Sequence, residues 1–271
     1  MQSILKIEWL KIKKYPAFWW MLGIVALTYP GINFIFYKIY QGFTIKKDMT
    51  GAVAKSLLGN PFAFPETWHS VAYFSSFFVL VPSILVIMII TNEFTFKTNR
   101  QNIIDGWSRN QFVTSKVLDV AIISAIVTFM YIFTATYFGI ITKEANDESW
   151  TLELKFIPLF FLQTFAQLSI AFLLGFLIKK SFIALGIFVF YYVILENIVS
   201  GILSFMHISA SRFLPLAVSN KLIPGPAFFS HFPEAAYEKN LSLINEQVFY
   251  TIILTAGIWL ICYQVNNKRD I

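Results

Sequence analysis

Polar side chains set in apolar runs are where this sequence could do chemistry, and they are few. Glu196 stands beside Asn197 in a long apolar run, and His207 follows at its end. A carboxylic acid and an imidazole within hydrogen-bond reach could form an acid–base pair. An ionisable group inside a membrane-spanning helix marks a transport path by default, and otherwise is a structural acid bonded to a neighbouring helix. Glu196 reads as the one carboxylate well inside a span, which leaves the enzymatic reading without a second buried acid. Ser75 and Ser76, upstream of Pro82, read as the polar upper face of a kinked helix. Ser75, Ser76, Glu196 and Asn197 are therefore the candidate pathway residues. Gln163 and Gln167 lie one turn apart around Thr164, a pattern that suits gluing helices together better than binding a substrate. The spacing of His69, His207 and His231 suggests no zinc site, and no metal or catalytic residue is expected. No G-x-x-x-x-G-K-[ST] is present, so the chain has no phosphate-binding loop of its own.

The elements that must position these residues are membrane spans. Of 271 residues, 57% are hydrophobic and 13% charged, with 30 Phe, and the mean hydropathy is +0.65. Soluble domains carry about 25% charged residues. The net charge of +6 therefore reports orientation rather than nucleic-acid binding. A lone cysteine, Cys262, excludes a disulfide framework within the chain. The basic residues before the first apolar run are not followed by a small-residue cleavage site, which argues against a cleavable leader.

A crossing helix needs about 20 apolar residues, and six segments qualify: 16–37, 70–90, 115–141, 156–178, 181–205 and 247–265. Lys6, Lys11, Lys13 and Lys14 precede the first. Lys97, Arg100, Arg109 and Lys116 lie between the second and third, Lys179 and Lys180 after the fourth, and Lys268 and Arg269 after the last. The opposite side holds Glu144, Asp147, Glu148 and Glu153, diluted by Lys38, Lys46, Lys47 and Lys55. The positive-inside rule then puts both termini in the cytoplasm. The expected fold is an all-α integral membrane protein forming a single transmembrane domain, with outer loops at 38–69, 142–155 and 206–246. In the first outer loop Ala52–Leu58 could form a short helix. In the last, Leu214–Ile223 is apolar but too short to span, and Phe228, Phe229, Phe232 and Pro233 add bulk. Residues 1–15 are expected to form an interfacial helix, with Leu5, Trp9 and Ile12 on one stripe, Lys6 and Lys13 opposite, and Trp19 and Trp20 in the aromatic belt.

The longest polar interruption is Thr91–Val117. On a helical wheel Phe96, Arg100, Ile103 and Trp107 share one face, away from Asn99, Gln101, Asn102 and Asp105, which predicts a short amphipathic helix stopped by Gly106. Ser108 followed three residues later by Gln111 is a capping box, so a new helix starts there and runs into the third span.

The pattern Glu93, Thr98, Ile103-Ile104, Gly106-Trp107-Ser108-Arg109, Phe112, Lys116 resembles the loop after span two in permease subunits of ATP-binding cassette (ABC) transporters of the type-2 export branch. The opening Ile7-Glu8-Trp9-Leu10-Lys11 is similar to that family's start. The likeness covers the whole chain in layout and two short motifs at residue level. Lys97 stands where the family commonly has Gly, and Asp105-Gly106 replaces a frequent Pro. The resemblance implies an N-terminal elbow helix and a cytoplasmic coupling helix at about Thr98–Asp105. Thr98, Asn99, Arg100, Asn102, Ile103, Asp105, Trp107 and Arg109, within a coupling segment at 91–114, would face a separate ATPase. It further implies that the partner subunit binds ATP and Mg, that a second permease subunit completes the path, and that the assembly sits in a bacterial plasma membrane and exports its substrate. The substrate is not readable, although aromatic-rich spans lean toward an amphipathic or hydrophobic molecule. The competing reading is a gradient-driven transporter or channel, which calls for broken helices at mid-membrane and buried ion ligands; the sequence shows few of either.

Overall fold

The computed structural model describes residues 2–44, 59–142, 150–206, 208–226 and 240–268, and among them all regular structure is helical. Expectations that rest on Lys46, Lys47, Lys55, Ala52–Leu58, Glu144, Asp147, Glu148, His207, Phe228, Phe229, His231, Phe232, Pro233 or Arg269, or on the side chain of Leu5, lie outside the described residues.

Five helices are long and apolar enough to cross a membrane. They are α2 (Pro16–Thr44), α6 (Arg109–Ile141), α7 (Phe156–Ile178), the helix Ser181–Phe205 and α11 (Ile244–Lys268). A further candidate is the pair α3 (Thr67–Ser76) and α4 (Leu80–Thr95), bent by 50° at their junction. These are the helices of a multi-pass membrane protein. Helix α2 runs on past the expected span end to Thr44 and α3 begins at Thr67, so both ends of the expected loop 38–69 are helical. Helix α11 likewise takes in the last residues of the expected loop 206–246.

The bend between α3 and α4 has a local cause. Pro82 is the third residue of α4. It has no N–H to give to the preceding turn, and its ring crowds the carbonyl four residues back, at Phe78. The chain therefore turns through Phe77–Val79 before α4 starts. The Ser181–Phe205 helix is broken differently. Between α8 (Ser181–Phe190) and α9 (Glu196–Phe205) lies a π turn, Tyr191–Leu195, in which the Glu196 N–H bonds to the Tyr191 carbonyl.

Helix α7 is the most enclosed of the long helices and packs against α4, α6 and α11. Gly175 allows the contact with α4: a Cβ there would lie 2.6 Å from Ile90 Cγ2 and 3.4 Å from Ile87 Cα. Small residues at such crossings let helices approach closely where lipid removes the usual hydrophobic drive.

The segment after α9 folds back among the helices. A 3-10 turn (Ser209–Phe213) leads into α10 (Pro215–Asn220), which packs against α7 and α11 with Leu216, Val218 and Ser219 buried. Asn220 Oδ1 accepts from Gln167 Nε2 at 2.8 Å and from Gln163 Nε2 at 3.1 Å. Gln167 is at the midpoint of α7, about 16 Å from either end at 1.5 Å per residue. The apolar stretch Leu214–Ile223 thus packs between long helices, with Leu216, Val218, Leu222 and Ile223 buried and Asn220 and Lys221 exposed.

Candidate functional site

Two regions concentrate polar chemistry. The first joins α1 (Gln2–Lys14) to the segment between α4 and α6. Helix α4 ends at Thr95, and two residues on the Lys97 backbone is left-handed with φ +55°. Glycine is the residue that takes this conformation without penalty. A new helix, α5 (Thr98–Ile104), starts at once. It closes with the Gly106 N–H on the Ile103 carbonyl and the Trp107 N–H on the Asn102 carbonyl, both 3.0 Å, with Gly106 at φ +96°. That pair of bonds is the Schellman ending. Ser108 then caps α6: the Gln111 N–H reaches Ser108 Oγ at 3.2 Å, and the Ser108 N–H reaches Gln111 Oε1 at 2.8 Å.

The break at Lys97 changes which face of this segment is inward. Phe96 lies before the break and is out of phase with α5, so it does not share a buried face with Arg100, Ile103 and Trp107 as the wheel implied. Phe96 is 72% exposed and Ile104 78%. Asn102 is buried instead, Thr98, Asn99, Ile103 and Trp107 are half-buried, and Arg100, Gln101 and Asp105 face out. Gln101 Nε2 donates to Asp105 Oδ1 at 3.0 Å. Arg109 is turned away from this surface. Its Nη1 donates to the Asn267 carbonyl at 2.7 Å, and Asn266 Nδ2 returns a bond to the Arg109 carbonyl at 2.9 Å. The end of α11 is thereby fastened to the start of α6.

Beneath α5 lies a buried ion cluster. Lys116, two turns into α6 and 1% exposed, places Nζ 2.6 Å from Glu8 Oε2, 2.9 Å from Glu93 Oε1 and 3.1 Å from Asp119 Oδ2. Lys11 reaches Glu8 at 3.0 Å and Glu93 at 3.4 Å from the rim, and sits over the Trp107 ring. Thr98 Oγ1 donates to Glu93 Oε2 at 2.9 Å, and Asn92 Nδ2 to the Tyr15 hydroxyl at the same distance. Three helices and α5 therefore meet on one polar knot. Burial, the largest influence, pushes the Glu8 carboxyl up, but the charge of Lys116, hydrogen bonds to Asp119 and Lys116 and the charge of Lys11 together hold the group well below the usual carboxylate range. The knot also sets the roll of α1. Glu8 and Ile12 point inward, while Trp9 is exposed along with Ile7 and Leu10. Glu8 and Ile12 thus form the inward face, and Trp9, expected on one stripe with Ile12, lies outside it. Trp19 and Trp20 are exposed, as an aromatic belt requires, and Trp19 Nε1 bonds the Lys13 carbonyl at 2.9 Å.

Asp119 corrects the reading of Glu196 as the one carboxylate inside a span, since it is buried within α6. Glu8, Glu93 and Lys116 entered the sequence reading only as marks of a motif. The available signal was Lys116 and Asp119 at i, i+3 opening an apolar helix, with Glu93 closing another.

The second region is a cavity of about 380 Å³ between α3, the Tyr191–Phe205 stretch and α10. Ser76, Glu196 and Asn197 line it, with Tyr73, Ser200 and Asn220. Ser75 is not part of it; it is buried against α2, where Asn33 Nδ2 reaches its Oγ at 3.3 Å. Glu196 is itself buried. Its Oε1 accepts from the Ala217 N–H at 2.6 Å, at the start of α10, and its Oε2 from the Tyr191 hydroxyl. The π turn makes the second bond possible by bringing residues 191 and 196 onto one side. Gln167 ties the wall to Tyr192, whose hydroxyl donates to Gln167 Oε1 at 3.1 Å. His69, on α3, has its Nε2 2.7 Å from the Pro224 carbonyl and its ring stacked on Phe156. Among the described residues no group of three His, Cys, Asp or Glu could hold a metal ion.

Residues 39–271 match a family model described as a protein of unknown function (DUF2705). No curated protein matches the chain.

Proposed function

We propose that this chain, which belongs to the DUF2705 family through residues 39–271, is the membrane-spanning permease subunit of an ABC exporter. In this reading six spans carry the chain through a bacterial plasma membrane with both ends in the cytoplasm. A second permease subunit completes the path, and a separate ATPase binds ATP and Mg and docks on α5. The chain has no phosphate-binding loop, so it is not itself the enzyme.

One observation carries the reading. A short helix with an outward face of Arg100, Gln101, Ile104 and Asp105 is seated directly on a buried ion cluster shared by α1, α4 and α6. A push on α5 reaches Thr98, then Glu93, then Lys116 and Glu8, through contacts of 2.9, 2.9 and 2.6 Å. Ion pairs buried at this depth do not rearrange cheaply. The element therefore moves with its three neighbours as a lever, which is what an ATP-driven partner needs to grip. Exposed apolar Phe96 and Ile104 beside opposite charges give that partner an anchor.

The test is co-purification of a P-loop ATPase with the tagged chain from native membranes. Arg100→Glu with Asp105→Arg swaps the two charges of the outward face without touching the cluster. We expect the ATPase to be lost from the eluate while the chain remains monodisperse. Undiminished ATPase recovery and transport with this pair would sink the coupling role.

A gradient-driven transporter is the second reading, and one observation favours it. The α3–α4 bend and the π turn both border the cavity that contains Glu196, and broken helices around a buried acid are a mark of such carriers. Transport that persists in vesicles free of any ATPase would select it over the first.

A further inference from the structure

The cavity beside Glu196 has a chemical bias of its own. Its lining holds one acidic side chain, Glu196, which among the described residues accepts from the Ala217 N–H and the Tyr191 hydroxyl. An ionised carboxylate offers about four acceptor sites, so capacity remains. Among the described residues no basic side chain lies within ion-pair distance of Glu196. Around the acid the wall offers Tyr73, Ser76, Asn197 and Ser200, all able to accept from an N–H donor. The apolar part of the lining is Phe77, 56% exposed on the outside of the bundle where the bent span turns, with Leu216 and Ile223 buried. A buried acid beside an apolar wall fits a molecule with a cationic head and an apolar tail. An anionic head would face Glu196 directly. At about 380 Å³ the space is at the small end of ligand pockets, roughly 300–1,000 Å³. It holds a head and the first methylenes, leaving the tail against Phe77.

We propose that this cavity is a binding site for the ammonium head of a single-chain amphiphile, held by Glu196 and entered past Phe77. The proposal rests on the reading that the chain moves a substrate, and it names the class of that substrate. The π turn supplies the geometry by placing Glu196 at the cavity, while α10 adds Asn220 to the lining.

The test uses the full chain, immobilised in dodecyl maltoside, with tritiated n-decylammonium read by scintillation proximity. Saturable binding is expected. Unlabelled decanol and decanoate should fail to displace it at tenfold higher concentration, and propylammonium should compete at least tenfold more weakly than decylammonium. Glu196→Gln should weaken binding at least tenfold. Because Glu196 also caps α10, that variant could misfold; Ser200→Phe fills the cavity and leaves both Glu196 bonds in place, and it should weaken binding by at least as much in a chain that elutes unchanged. Decanol competing as well as decylammonium overturns the role of charge, and Ser200→Phe with full affinity overturns the site. Propylammonium competing equally overturns the amphiphile in favour of a free amine. No ATPase is present in this assay. Binding retained alongside failed ATPase co-purification would leave the site standing and remove the exporter reading, and the reverse would remove only the site.

Discussion

Replacing Lys116 with methionine keeps an unbranched side chain one atom shorter and removes its charge. Glu8, Glu93 and Asp119 would then lie together with only Lys11 near them, and Lys11 reaches two of the three from the rim. In the parent the ammonium bonds all three at 2.6 to 3.1 Å and is 1% exposed. Removing one partner from a buried ion pair costs about 3–5 kcal/mol, because the remaining charge stays desolvated. A chain of this size loses roughly 2–4 °C of melting temperature per kcal/mol, so we expect Lys116→Met to melt roughly 6–20 °C lower. The assay is thermal unfolding of the purified chain in detergent at neutral pH. A second measurement isolates the charge. Glu8→Gln relieves part of the repulsion, so the double variant Glu8→Gln with Lys116→Met should be less destabilised than the sum of the singles. A melting temperature within about 2 °C of the parent for Lys116→Met, or strict additivity, would show that the cluster is not the structural hub described above.

Three further outcomes follow from the same geometry. The Glu8 carboxyl is held below its ordinary value near 4.5, so its contribution is fully present above that pH and is lost as pH falls below it; melting temperature should drop over that acid range, and Glu8→Gln should flatten that part of the profile. Lys97 occupies a left-handed conformation that costs a non-glycine residue about 1–2 kcal/mol, partly offset in Lys97→Gly by a more flexible unfolded chain; melting temperature should hold or rise, and a fall of several degrees would mean the Lys97 side chain has a role not seen here. Gly175→Leu forces a side chain into Ile90 and the α4 backbone and should cost about 1–3 kcal/mol by overpacking, read as lower melting and loss of monodispersity.

The layout of this protein is carried by local patterns, and those are legible without coordinates. Long apolar runs give the helices, Ser108 and Gln111 give the start of α6, Gly106 gives the end of α5, and Pro82 gives the bend. The sites are not local. Lys116 finds Glu8 across 108 positions and Glu93 across 23, and neither spacing has a periodic signature. The orientation of α5 was misread for a smaller reason. A helical wheel drawn through Phe96 assumes unbroken helix, and one left-handed residue at Lys97 invalidates it. Ser75 and Ser76 show the same sensitivity: adjacent on α3, one meets Asn33 and the other the cavity. The insertion of Leu214–Ile223 was undecidable because a short apolar stretch looks the same over a bundle as within it.

The π turn at Tyr191–Leu195 has a consequence for how this helix tolerates insertions and deletions. Such a turn accommodates one residue more than regular α-helix would. Deleting a single residue there would let the helix anneal into an unbroken α form and leave Glu196 to Phe205 on the faces they now present relative to α8. Winding the same residues as unbroken α-helix without a deletion would instead turn that stretch by about 100°, the advance of one residue. Glu196 would then leave the cavity and the Ala217 N–H together, while α8 kept its contacts with α4 and α7. The acid's direction is thus stored in the width of one turn rather than in the identity of any neighbour. A homologue one residue shorter at this point would be expected to carry its acid on the same face without the π turn.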